Sequence, residues 1–371
     1  MLKVTKTALV VSALTLGSMS VANAYHATNV TSSGSVQVFT QVEDVTTFRS
    51  LANYAAIYNV GLDVNQSTVD IVNARALSSN RNTELWLTPT YSKSSRSFTT
   101  KYDGNYDVDI SLTGLNVGFE RADFEQSTQN GWAYGALFNF GKASTDGEGR
   151  ARYTENDADY FSFGAYGKMA FDNLKLTLDM VLSKVNNELE GTLISNPNLN
   201  KVKSDVDTYV VSLGLSGYYT FNTSFADITP HLALRYTSLE LDGTNYNVNT
   251  TRGVIANNSV DTVDVFSVPF GVTVSKSIQA GDWNLAPKFD VTFTSNFGDD
   301  KYRYTSKVVN FYTGLRNYTE EQKFLDSFTY GATLGLDAKY KDHLDLGVGV
   351  GYTGASNSDK FNVTANVGYR F

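Results

Sequence analysis

The 371-residue chain has no cysteine and only five prolines, three histidines and three tryptophans. Each scarcity closes a line of chemistry or architecture. Without cysteine there is no disulfide framework, no thiolate nucleophile and no Cys-ligated zinc, so an exported form folds without an oxidant. Basic residues are also in deficit, with 30 Lys and Arg against 38 Asp and Glu, which argues against a nucleic-acid partner. Beyond the N-terminal run described next, no apolar segment reads as a helical membrane span. In abundance are 23 Tyr, 22 Phe and 29 Gly, a bias toward strand formers that marks an all-β chain.

The N-terminus carries an export pattern. In MLKVTKTALVVSALTLGSMSVANA, Lys3 and Lys6 precede an apolar run from Ala8 to about Val21, and Ala22, Asn23 and Ala24 give the small-polar-small pattern of a signal peptidase site. The run is broken by Ser and Gly and is shorter than the roughly 20 residues of a spanning helix. Cleavage is therefore expected after Ala24, with the mature chain beginning at Tyr25. Loss of Lys3 and Lys6 leaves 28 basic residues against 38 acidic ones, a net charge of −10.

From residue 83 onward the apolar period is 2, not 3.6. Leu174, Leu176, Leu178, Met180 and Leu182 alternate with Lys175, Thr177, Asp179 and Ser183, and Trp283, Leu285, Pro287, Phe289, Val291 and Phe293 alternate with Asn284, Lys288, Asp290 and Thr292. Twelve such strands are expected, over about 83–92, 107–121, 131–142, 157–171, 174–186, 205–220, 228–241, 259–276, 282–297, 324–340, 343–353 and 359–371. The connections sort by parity. Segments 93–106, 143–156, 187–204, 242–258 and 298–323 are long and polar, while 172–173, 221–227, 277–281 and 341–342 are short. Only 354–358, short where a long loop is expected, and the nine-residue 122–130 depart from that order. A soluble sandwich has no reason to sort its loops, whereas a membrane barrel does.

The two strand faces agree with that reading. The last twelve residues, KFNVTANVGYRF, put Phe361, Val363, Ala365, Val367, Tyr369 and Phe371 on one face and Lys360, Asn362, Thr364, Asn366, Gly368 and Arg370 on the other. One face suits lipid and the other water. In lipid every backbone polar group must be paired, so the sheet has to close. The expected fold is thus all-β, a twelve-stranded antiparallel transmembrane β-barrel. Lys175, Asp179, Arg235, Lys288, Asp290, Asp337, Lys339, Asp345 and Arg370 share the polar parity and are expected to line the lumen.

Catalytic and metal chemistry find little support. His26 lies beside the expected cleavage site, and His231 and His343 share lumenal parity with Arg235 and Asp345. A catalytic histidine on a barrel of this kind would belong on the outer surface instead. No G-x-S-x-G, H-E-x-x-H or P-loop pattern occurs. Asp299, Asp300 and the acids of 155–159 lack a ligand rhythm. No enzyme activity, cofactor or metal is expected of the chain.

Taken in order and spacing, ELWLTPTYSKSSRSF at 84–98, GLNVGFERADFEQSTQNGWAYGALFNFGKAS at 114–144, FGAYGKMAFDNLKLTLDMVLSK at 163–184, ITPHLALRYTSLEL at 228–241 and the closing NVGYRF resemble the autotransporter β-domain of type V secretion, over about 66–371. The resemblance implies a barrel in the bacterial outer membrane that carries an N-terminal segment through its lumen. It implies outer-membrane lipid, the barrel-assembly machinery and periplasmic chaperones as partners of a monomer, with Val367, Tyr369 and Phe371 of the last strand read as an assembly signal. The segment before the barrel fits as pore helix: QSTVDIVNARALSSNRN at 66–82 offers Ser67 as an N-cap with Asp70 three residues on, and DVTTFRSLANYAAIYNVG places Phe48, Leu51, Ala55 and Tyr58 at helical spacing and ends near Gly61. Such a helix lies in the lumen, with Arg75 among the wall charges, or lies under the barrel.

The expected division is a signal peptide at 1–24, a short vestigial passenger at 25–62, a linker helix at 63–82 and the barrel at 83–371. Against the family pattern, 25–62 has no repeat and no room for a core. Linker self-cleavage, which occurs in some relatives, would draw on Asn73, Asn80 or Asn82. The alternative functions are a free-standing channel and an adhesin acting through loops 187–204 and 298–323.

Overall fold

Alternating side chains leave one face of every segment apolar, and the sheet answers by closing on itself. The computed structural model describes residues 55–76, 82–100, 104–124, 130–149, 151–192, 201–242, 245–248, 255–260, 262–310, 314–341 and 343–371. Two units divide the chain, Met1–Thr40, which lies outside the described residues, and Gln41–Phe371, which holds all of them.

Twelve strands form the wall: β1 Asn82–Thr100, β2 Gly104–Phe124, β3 Gly131–Gly147, β4 Thr154–Phe171, β5 Leu174–Thr192, β6 Lys201–Tyr219, β7 Asp227–Leu241, β8 Val263–Ser275, β9 Trp283–Gly298, β10 Phe328–Tyr340, β11 Leu344–Ala355 and β12 Ser358–Arg370. Each pairs antiparallel with its neighbours in sequence. The ladder from Glu84↔Arg370 to Arg96↔Ser358 joins β1 to β12 and closes the barrel. This is the twelve-stranded antiparallel barrel expected from the sequence.

Outward side chains form an apolar belt. Leu85, Leu87 and Tyr91 on β1, Trp132, Tyr134, Phe138 and Phe140 on β3, and Val367, Tyr369 and Phe371 at the end of the chain are all exposed. Near the short-turn end Trp132 stacks on Tyr134 at 5.6 Å, Trp283 meets Tyr340 at 4.9 Å and Tyr369 meets Phe371 at 5.2 Å. In water such a belt would be an aggregation surface; against lipid it is the stabilising face.

The strands run farther than the apolar alternation does. Segments 93–106, 143–156 and 187–204 are expected as polar loops, yet β1 and β2 stay paired to Thr100↔Gly104 and β5 and β6 to Thr192↔Lys201. Above the belt both faces meet water, so the side-chain pattern fades while the backbone ladder continues. Cross-strand ion pairs replace apolar contacts there, with Lys93 2.8 Å from Asp109 and Lys184 2.9 Å from Asp207. The hydrogen bond to Asp109 is the main reason the Lys93 ammonium is held above its usual range.

Within segments 242–258 and 298–323 as well, the described residues include further strands beyond the wall. Lys301–Asn310 pairs with Gly314–Lys323 and with Ile255–Val260, which in turn pairs with Asn245–Val248. At the opposite end the connections are tight, with Asp172 and Lys341 at φ 51° and 48°.

Among the described residues one α-helix, α1 Ile57–Ala76, occupies the lumen. The sequence suggests a stop near Gly61 and a new N-cap at Ser67; the helix is instead continuous. Gly61 is a contact residue, since a Cβ there would lie 2.7 Å from Thr208 Cγ2 on β6. Ser67 is mid-helix, where its hydroxyl donates to the Val64 carbonyl at 2.8 Å, and Asp70 accepts from Gln66 at 2.7 Å. Val60 and Val64 bury among Val108, Ile110, Tyr160 and Val185. Val69, Ile71 and Val72 bury among Trp86, Leu137, Tyr166 and Val181. Twenty residues at about 1.5 Å each give a helix about 30 Å long, the thickness of a hydrocarbon core.

Candidate functional site

The site is the interface between α1 and the inner wall, and charge is concentrated near its two ends. At the C-terminal end Arg75 donates to Glu84 Oε1 on β1 at 2.9 Å, and its Nε lies 3.7 Å from Glu120 on β2. Its guanidinium also stands 5.4 Å from the centre of the Trp86 ring. The wall carboxylates have wall partners as well. Lys168 lies 3.0 Å from Glu120 and donates to the Arg75 carbonyl at 2.9 Å, Tyr166 donates to Glu120 at 2.7 Å, and Arg370 lies 3.5 Å from Glu84 while also pairing with Asp345. Glu84, Glu120 and Lys168 are all but inaccessible to water, so each charge depends on these partners.

Nearer the N-terminal end, Asp63 accepts from Ser94 at 2.8 Å and from Arg96 at 3.0 Å, with Lys360 of β12 at 3.5 Å. Above it Tyr58 stacks on Tyr302 with ring centres 3.9 Å apart, and Asn59 donates to the Phe324 carbonyl at 2.7 Å. Tyr302 donates to Gln322 at 3.1 Å, and Gln322 donates to Tyr106 on β2. The hairpin Lys301–Lys323 therefore reaches from the β9–β10 side of the mouth to β2 across the start of α1.

The charges expected to line the lumen lie on the inner face, but they pair mostly with one another. Asp179 and Arg235 form a two-point bridge at 2.8 and 3.0 Å. Both are in register with Gly214 on the strand between them, and the missing side chain lets the bridge cross over that strand. Lys288 and Asp337 pair at 2.9 Å. Asp290 takes His231 at 2.9 Å with Thr273 and Thr292. Lys175 and Lys339 line the same face. Arg75 instead meets Glu84 and Glu120, carboxylates the sequence reading passes over. Their signal was available: outward Leu85 and Leu87 turn Glu84 inward, and outward Phe119 does the same for Glu120. His343 is expected in the lumen, but it lies in the turn before β11, where no strand parity applies, with its ring over Tyr369. Asn73 is on α1; Asn80 and the signal positions Ala22, Ala24 and Tyr25 lie outside the described residues, as does 25–54. Among the described residues no group of three or more His, Asp or Glu is arranged to hold a metal.

Comparison with known proteins agrees with this barrel fold. Residues 85–324 match the family described as Autotransporter beta-domain. The chain belongs to that family. Autotransporter β-domains are outer-membrane translocators, not enzymes, and this barrel is one of them. It is similar to the translocator domain of autotransporter NalP from Neisseria meningitidis, with a TM-score of 0.64 at 14% identity over 86% of this chain and 99% of that one. The transport unit of autotransporter AIDA-I from Escherichia coli gives 0.58 at 14% identity over 87% and 99%, and the β domain of the Bordetella autotransporter BrkA gives 0.56 at 17% identity over 78% and 100%. At these identities the likeness is one of fold. No curated protein matches the chain.

Proposed function

We propose that this autotransporter β-domain carries the segment preceding α1 through its lumen to the outer face and then keeps α1 in place as a seal. The direction of α1 carries the reading. Its Ile57 end lies under the projecting hairpin, with Tyr58 on Tyr302, and its Arg75 end lies among Glu84, Lys168 and Arg370 near the short turns. A chain that enters α1 at the hairpin end and leaves it at the start of β1 has its preceding residues on the hairpin side. In an outer-membrane barrel the long connections face outward.

The same reading includes export by the pattern ending at Ala22 and Ala24, so that the mature chain begins at Tyr25. Its partners are outer-membrane lipid on the apolar belt, periplasmic chaperones and the barrel-assembly machinery, the last recognising the strand that bears Val367, Tyr369 and Phe371. The test is a protease site inserted between Gly34 and Ser35. Protease added to intact cells should cut it. Cleavage only after the outer membrane is permeabilised would place the segment on the periplasmic side and overturn the reading.

A further inference from the structure

Lysine collects at the short-turn end of the lumen. Lys168 on β4, Lys175 on β5 and Lys339 on β10 all lie on the inner face. Lys168 is directly opposite Thr177, which shares a face of β5 with Lys175 two residues away. The ammonium groups of Lys168 and Lys175 are within electrostatic reach of one another, and Lys339 reaches Lys175 from the opposite wall. Like charges held this close in a confined lumen repel. The carboxylates in the same field are Glu84, Glu120 and Asp345, and they already serve other cations: Glu84 and Asp345 hold Arg370, and Glu120 holds Lys168 and faces Arg75. Asp337, also within reach of Lys339, is taken by Lys288. A hydroxyl lies beside the lysines. Thr177 is inward and 1% accessible, and its hydroxyl has no hydrogen-bond partner among the described residues. Buried hydroxyls are ordinarily bonded, so this donor marks a place for an acceptor that the wall itself does not supply. Ser216, across the β5–β6 ladder from Thr177, is also buried.

We propose that this cluster is an anion site, where a phosphate-like oxyanion binds between Lys175 and Lys339 with the Thr177 hydroxyl donating to one of its oxygens. The donor set selects the class. Ammonium groups act as point charges, and arriving from two walls they suit a tetrahedral oxyanion, whereas a planar carboxylate is matched best by the arginine fork. The source is a free solute, because the site faces the lumen and lipid lies against the other face of the same strands. Lys175 and Lys339 stay partly accessible near the ends of their strands, so solute enters from the short-turn end. A bound oxyanion joins β5 to β10 across the barrel beside the Arg75 end of α1. This goes beyond translocation and does not depend on which way the preceding segment travelled.

Inorganic phosphate is the probe, added to the full chain folded in a non-ionic detergent, with sodium chloride of equal ionic strength as the reference. Phosphate should raise the temperature at which the barrel loses its folded gel mobility by a few degrees and saturably, and chloride should not. Lys175→Met and Lys339→Met should each lose most of that shift. Lys341→Met, in an exposed turn, should keep it. Thr177→Val tests the hydroxyl without changing charge: it should weaken the phosphate response without lowering the midpoint in chloride, since it removes a buried group that has no partner. Broadening of the phosphorus NMR line of phosphate by the folded protein reports binding directly, and so applies equally to variants that alter stability. A shift matched by chloride, a shift or broadening retained in both Lys175→Met and Lys339→Met, or a Thr177→Val response equal to the parent's would each overturn the proposal.

Discussion

Arg75 and Glu84 lie nine residues apart in sequence and 2.9 Å apart in space, one at the end of the lumenal helix and the other at the start of the first strand. The pair marks where the chain stops running through the barrel and begins to build it. Neither residue stands alone, because Arg370 backs Glu84 and Lys168 backs Glu120 from the wall. The wall is thus close to electrostatically complete before the helix contributes its charge.

Replacing Arg75 should accordingly loosen the helix more than the barrel. Removing one partner of a buried pair commonly costs about 3–5 kcal/mol, and the remaining wall cations should keep the loss below that range. Arg75→Leu is expected to close normally, shown by different gel mobility with and without boiling, while single-channel records show more frequent large openings. An unchanged channel record would remove Arg75 from helix retention.

Gly61→Ala sets two effects against each other. Alanine favours helix by about 1 kcal/mol over glycine, but its Cβ would sit 2.7 Å from Thr208 Cγ2, and overpacking a close contact costs about 1–3 kcal/mol. Threonine is stiff at χ1, so the clash should win. The variant is expected to hold α1 less tightly, seen as faster hydrogen exchange of helix amides. Slower exchange would mean that the wall yields.

Tyr302→Ala should free the outer hairpin without affecting insertion. The stacked Tyr58–Tyr302 pair contributes about 0.5–1.5 kcal/mol beyond its buried area, and the lipid belt contains neither ring. Limited proteolysis should cut within Lys301–Lys323 sooner than in the parent, with equal amounts of folded barrel. Equal protection would assign the hairpin's order to its own strand pairing.

Asp326 offers a pH test outside the membrane. Burial pushes its carboxyl up, but donors from Ser356, Ser358 and Asn357, with Lys323 nearby, outweigh burial and hold it below the usual carboxylate range. A lowered folded value means that the stabilisation is present above the unfolded carboxylate pKa of about 3.9 and fades as pH falls through the folded value below that. Hairpin protection, followed by hydrogen exchange, should be flat from neutral pH down to about 4 and then drop. Asp326→Asn should be looser at neutral pH and show a weaker acid limb. Identical profiles would dismiss the carboxylate as a latch.

Strand number, order and the lipid-facing residues were legible because alternation between two solvents leaves a period of 2 wherever the wall crosses the membrane. Strand ends were not, because the ladder outlasts the alternation once both faces are wet, as at Thr99↔Asn105. The helix was legible at Tyr58 and Arg75 but was broken at Gly61, where a residue usually taken as a stop serves close packing against Thr208. Lumenal charge was legible from parity. Which charge meets which was not, because pairs such as Asp179–Arg235 cross a strand and depend on a glycine between them.

Eleven of the twelve wall ladders join strands that are neighbours in sequence, and one, β1 with β12, joins opposite ends of the domain. Until that ladder zips, the domain is topologically a ribbon with two free edges. A ribbon can curl around a helix already lying beside it, so α1 need never be threaded tip-first through a finished ring. The seam between Glu84 and Arg370, which also grips Arg75 through Glu84, is then where enclosure is completed, and locking the tube and trapping its contents become one event.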